Sequence, residues 1–441
     1  MYKTWLVVTN LILINGFSII SRTRIFSKSA SHKSFFAFPN TSLQDKKVDY
    51  ALETATEFRR NGSPNETITI LSKILQDDHL SLSDLAQVYY QIASAHDEMG
   101  QVEESILAFQ KVIDLEKQLP SYDSTQTSNT LVSHANVLLD GLGTRDTSYK
   151  VFQSSHHPGP ASLLAGMTAD SLGLHQEARK YYQNALIHQP YNVDAMIGMI
   201  SNYKRFGCHD EKERIINEKL QRHVPDDALS SLDYALAQNV TNSEYLHYFT
   251  YDMIQLGLRH STITDGLVLE FGVYFGKTLK MISSHFQNLN SSQKVHGFDT
   301  FDGLPQDWRG TKSGSYSTEG ILPNVGDNVR YHVGLFSDCL TSFLSELRQE
   351  ENIKGKTQTS VAFMNIDCDL YTSTMDVLLP LAKEGLIVPG TVIMFDEYIM
   401  NPRWQDDEFK AFQEISKMYG WKYEYIALSI VTGQAIVKIT N

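Results

Sequence analysis

Two segments decide the fold: Ser360-Val-Ala-Phe-Met-Asn-Ile-Asp-Cys-Asp-Leu-Tyr371 and Gly390-Thr-Val-Ile-Met-Phe-Asp-Glu-Tyr398. Each is a short, unbroken apolar run that ends in two carboxylates. Such runs are typical of strands buried on both faces of a parallel sheet. Residues 373–386, between the two runs, show helical spacing and end near Gly385. The stretch therefore predicts a β-α-β unit, whose two strands end at the same edge of a sheet.

Four acidic residues follow these two strands: Asp367, Asp369, Asp396 and Glu397. Ligands of open α/β sheets bind beyond the carboxyl ends of the strands. Carboxylates that converge there repel one another unless a cation or a shared proton relieves the repulsion. The pattern therefore predicts a site for a hard metal ion or for acid/base chemistry at this edge.

Composition and charge limit the classes of function. A chain of 441 residues, 42% of them hydrophobic, has enough apolar material for two or three domains. The net charge of −13 argues against nucleic acid as a partner, because phosphate binding needs a basic face. The three cysteines are scattered and form no disulfide framework or zinc motif. Cys368, between two acids, is expected to have a raised pKa and not to be an activated nucleophile.

Residues 1–44 have the composition of a targeting segment. Residues 4–21 are largely apolar and uncharged, residues 22–42 carry basic residues and serines, and the first acid is Asp45. This pattern predicts a secretory signal or an N-terminal membrane anchor, and an organellar transit segment as the second interpretation. A disordered leader is the alternative. The predicted location is accordingly the secretory pathway or an organelle, with the cytoplasm not excluded.

Residues 46–235 show a repeated helical pattern. Glycines at predicted turns recur close to the ~34-residue period of the tetratricopeptide repeat. These glycines are Gly62, Gly100, Gly143, Gly173 and Gly207. Because one helix pair cannot bury its apolar face alone, such repeats stack into a solenoid, here of about five pairs. The solenoid is predicted either to bind a protein partner on a concave surface or to act as a structural or oligomerising arm.

Residues 240–441 change to short apolar strands that alternate with helices. The predicted strands are 266–271, 295–298, 329–333, 361–366, 391–395, 423–427 and 435–439. Two helices are predicted before them, at Asp227–Asn239 and Ser243–Leu258. The last two strands have a hairpin-like sequence, so we expect a mostly parallel sheet with one antiparallel edge strand. The fold class is therefore α plus α/β: an α-helical solenoid followed by a Rossmann-like seven-stranded domain.

The first strand leads into a glycine-rich corner, Glu270-Phe-Gly-Val-Tyr-Phe-Gly276-Lys-Thr278. A strand, a glycine turn and a helix start can cradle a nucleotide, because backbone N–H groups face the ligand. A P-loop needs four residues between its glycines and this corner has three, which argues against an NTPase. Glu270 would repel a triphosphate but attract a ligand ammonium. Asp299, at the end of the second strand, is placed to bind both ribose hydroxyls.

Four motifs together resemble the macrocin O-methyltransferase (TylF-type) family. They are Glu270-Phe-Gly272-Val, Gly297-Phe-Asp-Thr-Phe-Asp-Gly-Leu-Pro305, Ile366-Asp-Cys-Asp-Leu-Tyr-Thr-Ser-Thr374 and Phe395-Asp-Glu-Tyr398, the last followed by Pro402-x-Trp404. The resemblance covers about residues 243–441. It implies a class I sugar O-methyltransferase that uses S-adenosylmethionine (SAM) and a divalent metal, usually Mg²⁺. The family has two aspartates where this chain has Asp396 and Glu397.

The resemblance also implies cofactor contacts. The methionine part of SAM would lie against Glu270, Gly272 and Gly276, and Asp299 would hold the ribose. The residues near the adenine would be Ser337 and Asp338.

By the same resemblance, the metal and the substrate would bind Asp367 or Asp369 together with Asp396 and Glu397. A sugar hydroxyl is a poor nucleophile at neutral pH; a metal lowers its pKa and a carboxylate removes its proton. One of Asp367 and Asp369 would be the metal ligand and the other the catalytic base, in an order that the sequence leaves open. In the alternative interpretation, both only cap the helix that follows.

The sequence thus predicts a SAM-dependent, metal-assisted O-methyltransferase that acts on a hydroxyl of a sugar or polyol-like small molecule. Two alternatives stay open. One is a repeat scaffold with a degenerate SAM-binding module, and the other is a methyltransferase that acts on a protein partner. Trp308 and Trp404 are expected either to form the floor of the acceptor pocket or to anchor loops.

Overall fold

The computed structural model describes residues 43–60, 63–76, 80–120, 129–154, 159–238, 240, 243–354 and 359–441. Nearly all of the predicted targeting segment and the predicted turn at Gly62 lie outside these residues. In the described part of the chain, no helix is both long and apolar enough to cross a membrane. The targeting role and the N-terminal membrane anchor concern residues outside that part and stay predictions.

Helices form the first half of the described chain and then alternate with strands. The helices are α1 (Leu43–Arg60), α2 (Pro64–Ile74), α3 (Leu82–Glu98), α4 (Val102–Glu116), α5 (Asn129–Leu142), α6 (Arg145–Ser154), α7 (Pro160–Ser171), α8 (His175–His188), α9 (Val193–Phe206), α10 (Glu211–Gln221), α11 (Asp226–Ala237), α12 (Thr250–His260), α13 (Lys277–Asn288), α14 (Phe336–Lys354), α15 (Tyr371–Lys383) and α16 (Glu408–Tyr419). A short 3-10 helix, Ser243–His247, precedes α12. The strands are β1 (Leu267–Phe271), β2 (Val295–Asp299), β3 (Val329–Val333), β4 (Val361–Ile366), β5 (Val392–Phe395), β6 (Tyr423–Leu428) and β7 (Ala435–Ile439).

The first ten helices follow one another as five consecutive pairs, from α1–α2 to α9–α10. Turns within four of these pairs contain the predicted glycines Gly100, Gly143, Gly173 and Gly207. Each of these glycines has a positive φ, between 66° and 78°. This left-handed conformation is the usual way to end one helix and start the next, and glycine adopts it without steric cost. The prediction of a helical repeat region is confirmed.

One seven-stranded sheet forms the later part of the chain, in the order β3-β2-β1-β4-β5-β7-β6. Every predicted strand is present, and its ends differ from the prediction by no more than one residue. The central strands β1, β4 and β5 are buried along their whole length. Such burial explains their unbroken apolar sequences, since helices cover both faces of a parallel sheet.

The prediction of an antiparallel edge strand is wrong. The antiparallel strand is β7, and it lies inside the sheet between β5 and β6. The edge strand is β6, which runs in the same direction as β5. After β5, the chain passes through α16 and forms β6, which leaves room for one strand between β5 and β6. The hairpin then turns back, and β7 occupies this space. The sequence indicates the hairpin but not the side on which it returns.

The helix predicted over Ser243–Leu258 is also wrong in part, because the structure divides it. The 3-10 helix ends at His247 and α12 begins at Thr250. Phe249 between them has an extended backbone (φ −89°, ψ 169°) and a buried ring. Both pieces carry the same amphipathic pattern, which hides the break from the sequence.

By its internal contacts, the chain divides into two compact units between Val137 and Leu138. In the first unit, a small apolar core forms around Ala55, Leu71 and Val88.

In the second unit, the helices that precede the sheet share its core. Ile200 of α9 and Leu232 of α11 belong to the same buried cluster as Phe395 of β5. Two further helical segments follow residue 240 before β1 begins at Leu267, and the apolar core includes residues on both sides of residue 240.

Candidate active site

Four neighbouring strands end in register at one edge of the sheet. Phe271 of β1 is paired with Phe298 of β2 and with Ile366 of β4, and Ile366 is paired with Phe395 of β5. Backbone bonds continue this ladder by one residue, since Asp367 N–H donates to the Phe271 carbonyl (2.8 Å) and Asp396 N–H to the Ile366 carbonyl (2.9 Å). The residues one position beyond the paired Phe298, Phe271, Ile366 and Phe395 therefore lie side by side. These residues are Asp299, Gly272, Asp367 and Asp396.

Gly272 lies where the backbone after β1 passes the backbone after β4. Its φ is +88°, and a Cβ atom there would lie 1.9 Å from the carbonyl oxygen of Asp367. The close approach of the neighbouring loop therefore requires a glycine here, whether or not a ligand also requires one. Gly276, which precedes α13, faces Val325, whose Cγ1 would lie 2.6 Å from an added Cβ.

Asp299 ties the glycine-rich corner to the loop after β2. One carboxylate oxygen accepts hydrogen bonds from the N–H groups of Val273 (2.7 Å) and Tyr274 (2.9 Å), and the other accepts one from Phe301 (2.8 Å). Tyr274 and Phe301 both have positive φ, at 51° and 59°. Such strain persists only where the surroundings hold it, and it is common at ligand sites. Asp299 thus fixes the corner into which the adenosyl group is predicted to bind.

Glu270 is a fully buried carboxyl group in β1. One of its oxygens accepts bonds from the Thr278 hydroxyl and from the amide of Asn365 (3.0 Å), its register neighbour in β4. Its other oxygen, Oε2, has no hydrogen-bond partner among the described residues, and neither has Oδ1 of Asn365. Burial raises the pKa of Glu270 to about 8, with a further contribution from Asp367 and Asp396. Glu270 therefore holds its proton more tightly than an exposed glutamate does.

The acids after β4 and β5 lie in two loops, here named the β4 loop (367–370) and the β5 loop (396–407). Asp369 is 9% exposed and has a φ of +58°, while Asp396 is 7% and Glu397 4% exposed. Asp396 accepts a hydrogen bond from the side-chain amide of Gln434 (2.6 Å). Asp367 is half-buried. The structure thus brings these acids to the edge where Glu270 lies, and all but Asp367 are largely shielded from water.

The fit to a metal ion is incomplete. The oxygen donors are of the type that Mg²⁺ prefers. Within the described residues, however, no group of three or more carboxylate, imidazole or thiol side chains lies close enough together to hold a metal ion.

The fit to a cationic organic ligand is better. Burial, hydrogen bonds and neighbouring carboxylates are the main influences on the pKa of Glu270 and of the buried Glu408, and no basic side chain of the described residues is among them. A positively charged ligand would be attracted to these two groups when they are ionised.

Glu408, the first residue of α16, is a site residue that the sequence analysis missed. It is fully buried, and its two oxygens accept hydrogen bonds from the N–H groups of Cys368 (3.0 Å) and Glu397 (3.1 Å). Burial raises its pKa well above the usual range, and Asp367 is the strongest of the charged neighbours that add to this effect. The only signal in the sequence is an acidic run, 406–408, at the start of a helical pattern.

Cys368 behaves as expected from its position between two acids. Burial raises the pKa of its thiol well above the ordinary value, and Glu408 and Asp367 make the largest contributions among the neighbouring acids. A thiol of this kind stays protonated and is a poor nucleophile.

Ser337 and Asp338 lie at the start of α14, directly after β3 and at the same edge of the sheet. Both are exposed, and the Ser337 hydroxyl donates to the Asp338 carboxylate (3.3 Å). They are three strands away from the acids of β4, so the structure does not bring them to the carboxylate cluster. This position leaves them available for the far end of a long ligand.

Trp308 and Trp404 anchor loops and do not form the floor of an open pocket. Trp404 is 2% exposed, and its indole N–H donates to Ser230 of α11 (3.2 Å). Trp308 is 7% exposed and packs in a small cluster with Leu304 and Leu370. The loop-anchoring alternative therefore describes them.

Lys277 of the glycine-rich corner is bound by a helix of the repeat region. Its ammonium group lies 2.6 Å from the carboxylate of Asp140 in α5. The same carboxylate accepts the N–H of Thr250 at the start of α12 (3.1 Å). A P-loop lysine would instead reach into the ligand site, so this contact agrees with the argument against an NTPase.

The family matches divide along the chain as the sequence motifs do. Residues 257–420 match the family model described as macrocin-O-methyltransferase (TylF), and residues 86–119 match a tetratricopeptide repeat. The chain thus has a region similar to the tetratricopeptide repeat, followed by a region similar to the macrocin O-methyltransferase family. The resemblance described from the sequence is confirmed.

Several solved structures are similar to parts of the chain. CalS11, titled a calicheamicin methyltransferase, is 18% identical, with 55% of this chain and 91% of that chain covered and a TM-score of 0.33. MamA 41-end from Desulfovibrio magneticus RS-1 is 17% identical, covers 40% of this chain and 96% of its own, and has a TM-score of 0.31. YrrB, titled a TPR protein with an unusual peptide-binding site, is 16% identical, with 43% and 96% covered and a TM-score of 0.31. No curated protein sequence matches the chain.

Proposed function

We propose that the second unit is a SAM-dependent O-methyltransferase that acts on a hydroxyl of a sugar or polyol-like small molecule. One observation carries the proposal: a buried, partner-free oxygen of Glu270 lies among further carboxylates at the strand edge, within the span that matches the methyltransferase family. SAM carries two positive charges, on its sulfonium and its ammonium group. An acid-rich edge suits such a ligand.

The proposed contacts follow the order of the strands. Glu270 would face the ammonium group, and the corner from Gly272 to Gly276 would hold the methionine part. Asp299 would hold the ribose through the one lone-pair site that its three backbone bonds leave free. The far end of the cofactor, its adenine, would lie near Ser337 and Asp338.

When bound, SAM supplies a methyl group on a positively charged sulfur, which the acceptor oxygen displaces in line. The protein's task is to orient the hydroxyl and to take its proton. Asp367 or Asp369 would take this proton as the general base while the hydroxyl oxygen accepts the methyl group. The left-handed backbone of Asp369 fixes the direction of its side chain. The largely buried acids of both loops keep this exchange away from bulk water.

The proposal includes assistance by a divalent metal such as Mg²⁺, and only the chemical type of the side-chain donors supports this part. Asp367, Asp369, Asp396 and Glu397 are oxygen donors, but the described residues present no group of three that could hold a metal. The steps above therefore use only carboxylates. Calorimetry with SAM, with and without Mg²⁺, measures whether a metal contributes to binding.

Asp396→Asn tests the proposed site. Asparagine keeps the size of the side chain and an oxygen for Gln434, but removes the negative charge. By the family resemblance, Asp396 would bind the acceptor, and a metal where one is present, while the SAM contacts lie on the segments after β1 and β2. We therefore expect SAM affinity to stay within about threefold and methyl transfer to fall about 100-fold or more. Transfer is measured from SAM with a radiolabelled methyl group to a cell extract, divided into small-molecule and macromolecular fractions.

The matched control is Asp376→Asn, the same change at an exposed position of α15. It is expected to keep the wild-type rate. Unchanged transfer by Asp396→Asn would remove Asp396 from the mechanism. Wild-type protein that binds SAM but labels neither fraction would favour the scaffold alternative.

The tetratricopeptide match favours a second candidate, in which the repeats recruit a protein. The partner would either be the methyl acceptor or only bring the enzyme to its place of action. Label in the macromolecular fraction would indicate a protein acceptor, and label confined to small molecules would indicate a recruiting role.

A further inference from the structure

Glu408 is a buried carboxyl group that contacts both acidic loops and that the proposed mechanism does not use. One oxygen accepts the N–H of Cys368 in the middle of the β4 loop (3.0 Å). The other accepts the N–H of Glu397 at the start of the β5 loop (3.1 Å). One side chain therefore joins the backbones of the two loops that carry the proposed proton acceptor and its acidic neighbours.

An acid is a costly side chain at this position. Burial disfavours the charged form, and the nearby charges of Asp367, Asp396 and Glu397 disfavour it further. The two hydrogen bonds do not depend on that charge, because each carboxyl oxygen keeps a lone pair for an N–H donor in either protonation state. The position therefore calls for two adjacent acceptors at a fixed spacing.

The β4 loop is strained and needs such support. Asp369 has a φ of +58°, which is unfavourable for a residue with a side chain. Next to it, the N–H of Leu370 donates to the carbonyl of Cys368 at 2.5 Å, which closes a tight turn. A turn of this kind persists where neighbouring groups hold its ends. The bond from Cys368 to Glu408 holds one end.

We propose that Glu408 is a positioning residue for methyl transfer, which fixes the β4 loop against the β5 loop through their backbones without touching SAM or the acceptor. This inference rests on the proposed function. The SAM corner is formed by the segments after β1 and β2, so loss of Glu408 should leave SAM binding intact. The rate should suffer instead, because a shift of about 1 Å between reacting groups can cost about 100-fold.

Glu408→Gln is the direct test. Glutamine has the same size, but its NH₂ group faces one of the two N–H donors and releases that loop. We expect calorimetry to give an unchanged number of SAM sites, with a Kd within about threefold, and the maximal rate per SAM site to fall about 10- to 100-fold. The probe is SAM with a tritiated methyl group and a dilution series of the small-molecule fraction of a cell extract.

Hydrogen exchange provides a readout that does not depend on activity. In the wild type, the amides of Cys368 and Glu397 should be protected. In Glu408→Gln, the peptides 366–370 and 396–400 should exchange faster while the rest of the sheet is unchanged.

Glu414→Gln is the matched control. It makes the same change on the same helix, where the Glu414 carboxylate accepts a bond from the exposed Tyr371 hydroxyl (2.6 Å). Wild-type rate, SAM affinity and exchange are expected. An equal loss of rate in this control would assign the effect to α16 in general and overturn the proposal.

Three other results would overturn it: a wild-type rate per SAM site in Glu408→Gln, a loss that only follows the number of SAM sites, or rapid exchange of both amides in the wild type. If Glu408→Gln does not fold, Glu408→Asp replaces it, since the shorter acid reaches only one loop. This variant should also bind SAM normally and have a lower rate per SAM site. Wild-type protein that transfers no label refutes the proposed function, and with it the catalytic role of Glu408. The exchange data would still tell whether the loops are joined.

Discussion

At the residue scale, Gly272 decides how closely the segments after β1 and β4 can approach. We expect Gly272→Ala to lower the free energy of unfolding by about 3–5 kcal/mol. The added Cβ would lie 1.9 Å from the Asp367 carbonyl oxygen, at a φ of +88°. Urea unfolding of the full chain measures the loss.

Gly420→Ala is the control for this prediction. Gly420 also has a positive φ (+68°), but no described atom lies within 4 Å of an added Cβ. Gly420→Ala should lower the free energy of unfolding only by the cost of the left-handed conformation, about 1–2 kcal/mol. Equal losses in the two variants would show that the contact with Asp367 does not matter.

Glu270 makes a second residue-scale prediction, on pH. Its pKa rises to about 8 on folding, so the folded state binds its proton more tightly than the unfolded chain does. Its stabilising effect is fully present below the unfolded pKa and is lost as the pH rises towards about 8. We expect the ligand-free protein to lose stability from pH 5 to pH 8, and Glu270→Gln to lose less. Urea unfolding at several pH values gives the slope of the free energy of unfolding against pH for the wild type and for Glu270→Gln. Equal slopes would contradict the raised pKa of Glu270.

The sequence could place Glu270, Asp367 and Asp396 at one edge, because strand ends are read from local apolar runs. It could not find Glu408. Nothing in an acidic run before a helix tells which carboxylate turns inward, since that depends on how α16 lies against β4 and β5. The pairing of Asp299 with backbone N–H groups was hidden for the same reason.

At the scale of elements, the Asp140 carboxylate joins three helices, because it contacts Lys277 of α13 and Thr250 of α12 from α5. Asp140→Ala should lower the free energy of unfolding by about 2 kcal/mol, as it leaves a half-buried ammonium group and an N–H without this acceptor. Thermal or urea unfolding measures the change.

Asp233→Ala is the comparison for Asp140→Ala. Asp233 forms an ion pair with Lys204, but its side chain is 58% exposed. Exposed pairs contribute about 0–1 kcal/mol, so little change is expected. If both variants lose the same stability, the contact between α5 and α13 has no special weight.

The elements themselves were largely predictable, and their arrangement was less so. Turn glycines such as Gly143 and apolar runs such as Val361–Ile366 are local signals. The position of β7 is decided by long-range pairing with β5, which no local pattern contains. The break at Phe249 was missed because one amphipathic pattern continues through it.

At the scale of the whole molecule, the sheet shares its core with helices that belong to the repeat region. A fragment of residues 129–441 should therefore unfold cooperatively. A fragment of residues 240–441 should be insoluble or lack a cooperative transition, because it exposes the partners of Ile200 and Leu232. Calorimetric scans and limited proteolysis of both fragments test this prediction. A shorter fragment with the same transition temperature would show that the sheet domain is independent of the helices.

The place of β7 between β5 and β6 also affects how the protein is made. Translation delivers β5, with Asp396 at its end, before the strand that closes its outer side. Until β7 emerges from the ribosome, that apolar strand has an unpaired edge of the kind that seeds aggregation. A premature stop codon ahead of residue 435 would leave the nascent sheet in this state permanently. Only a chain translated through β7 therefore covers the edge of the strand that leads to Asp396.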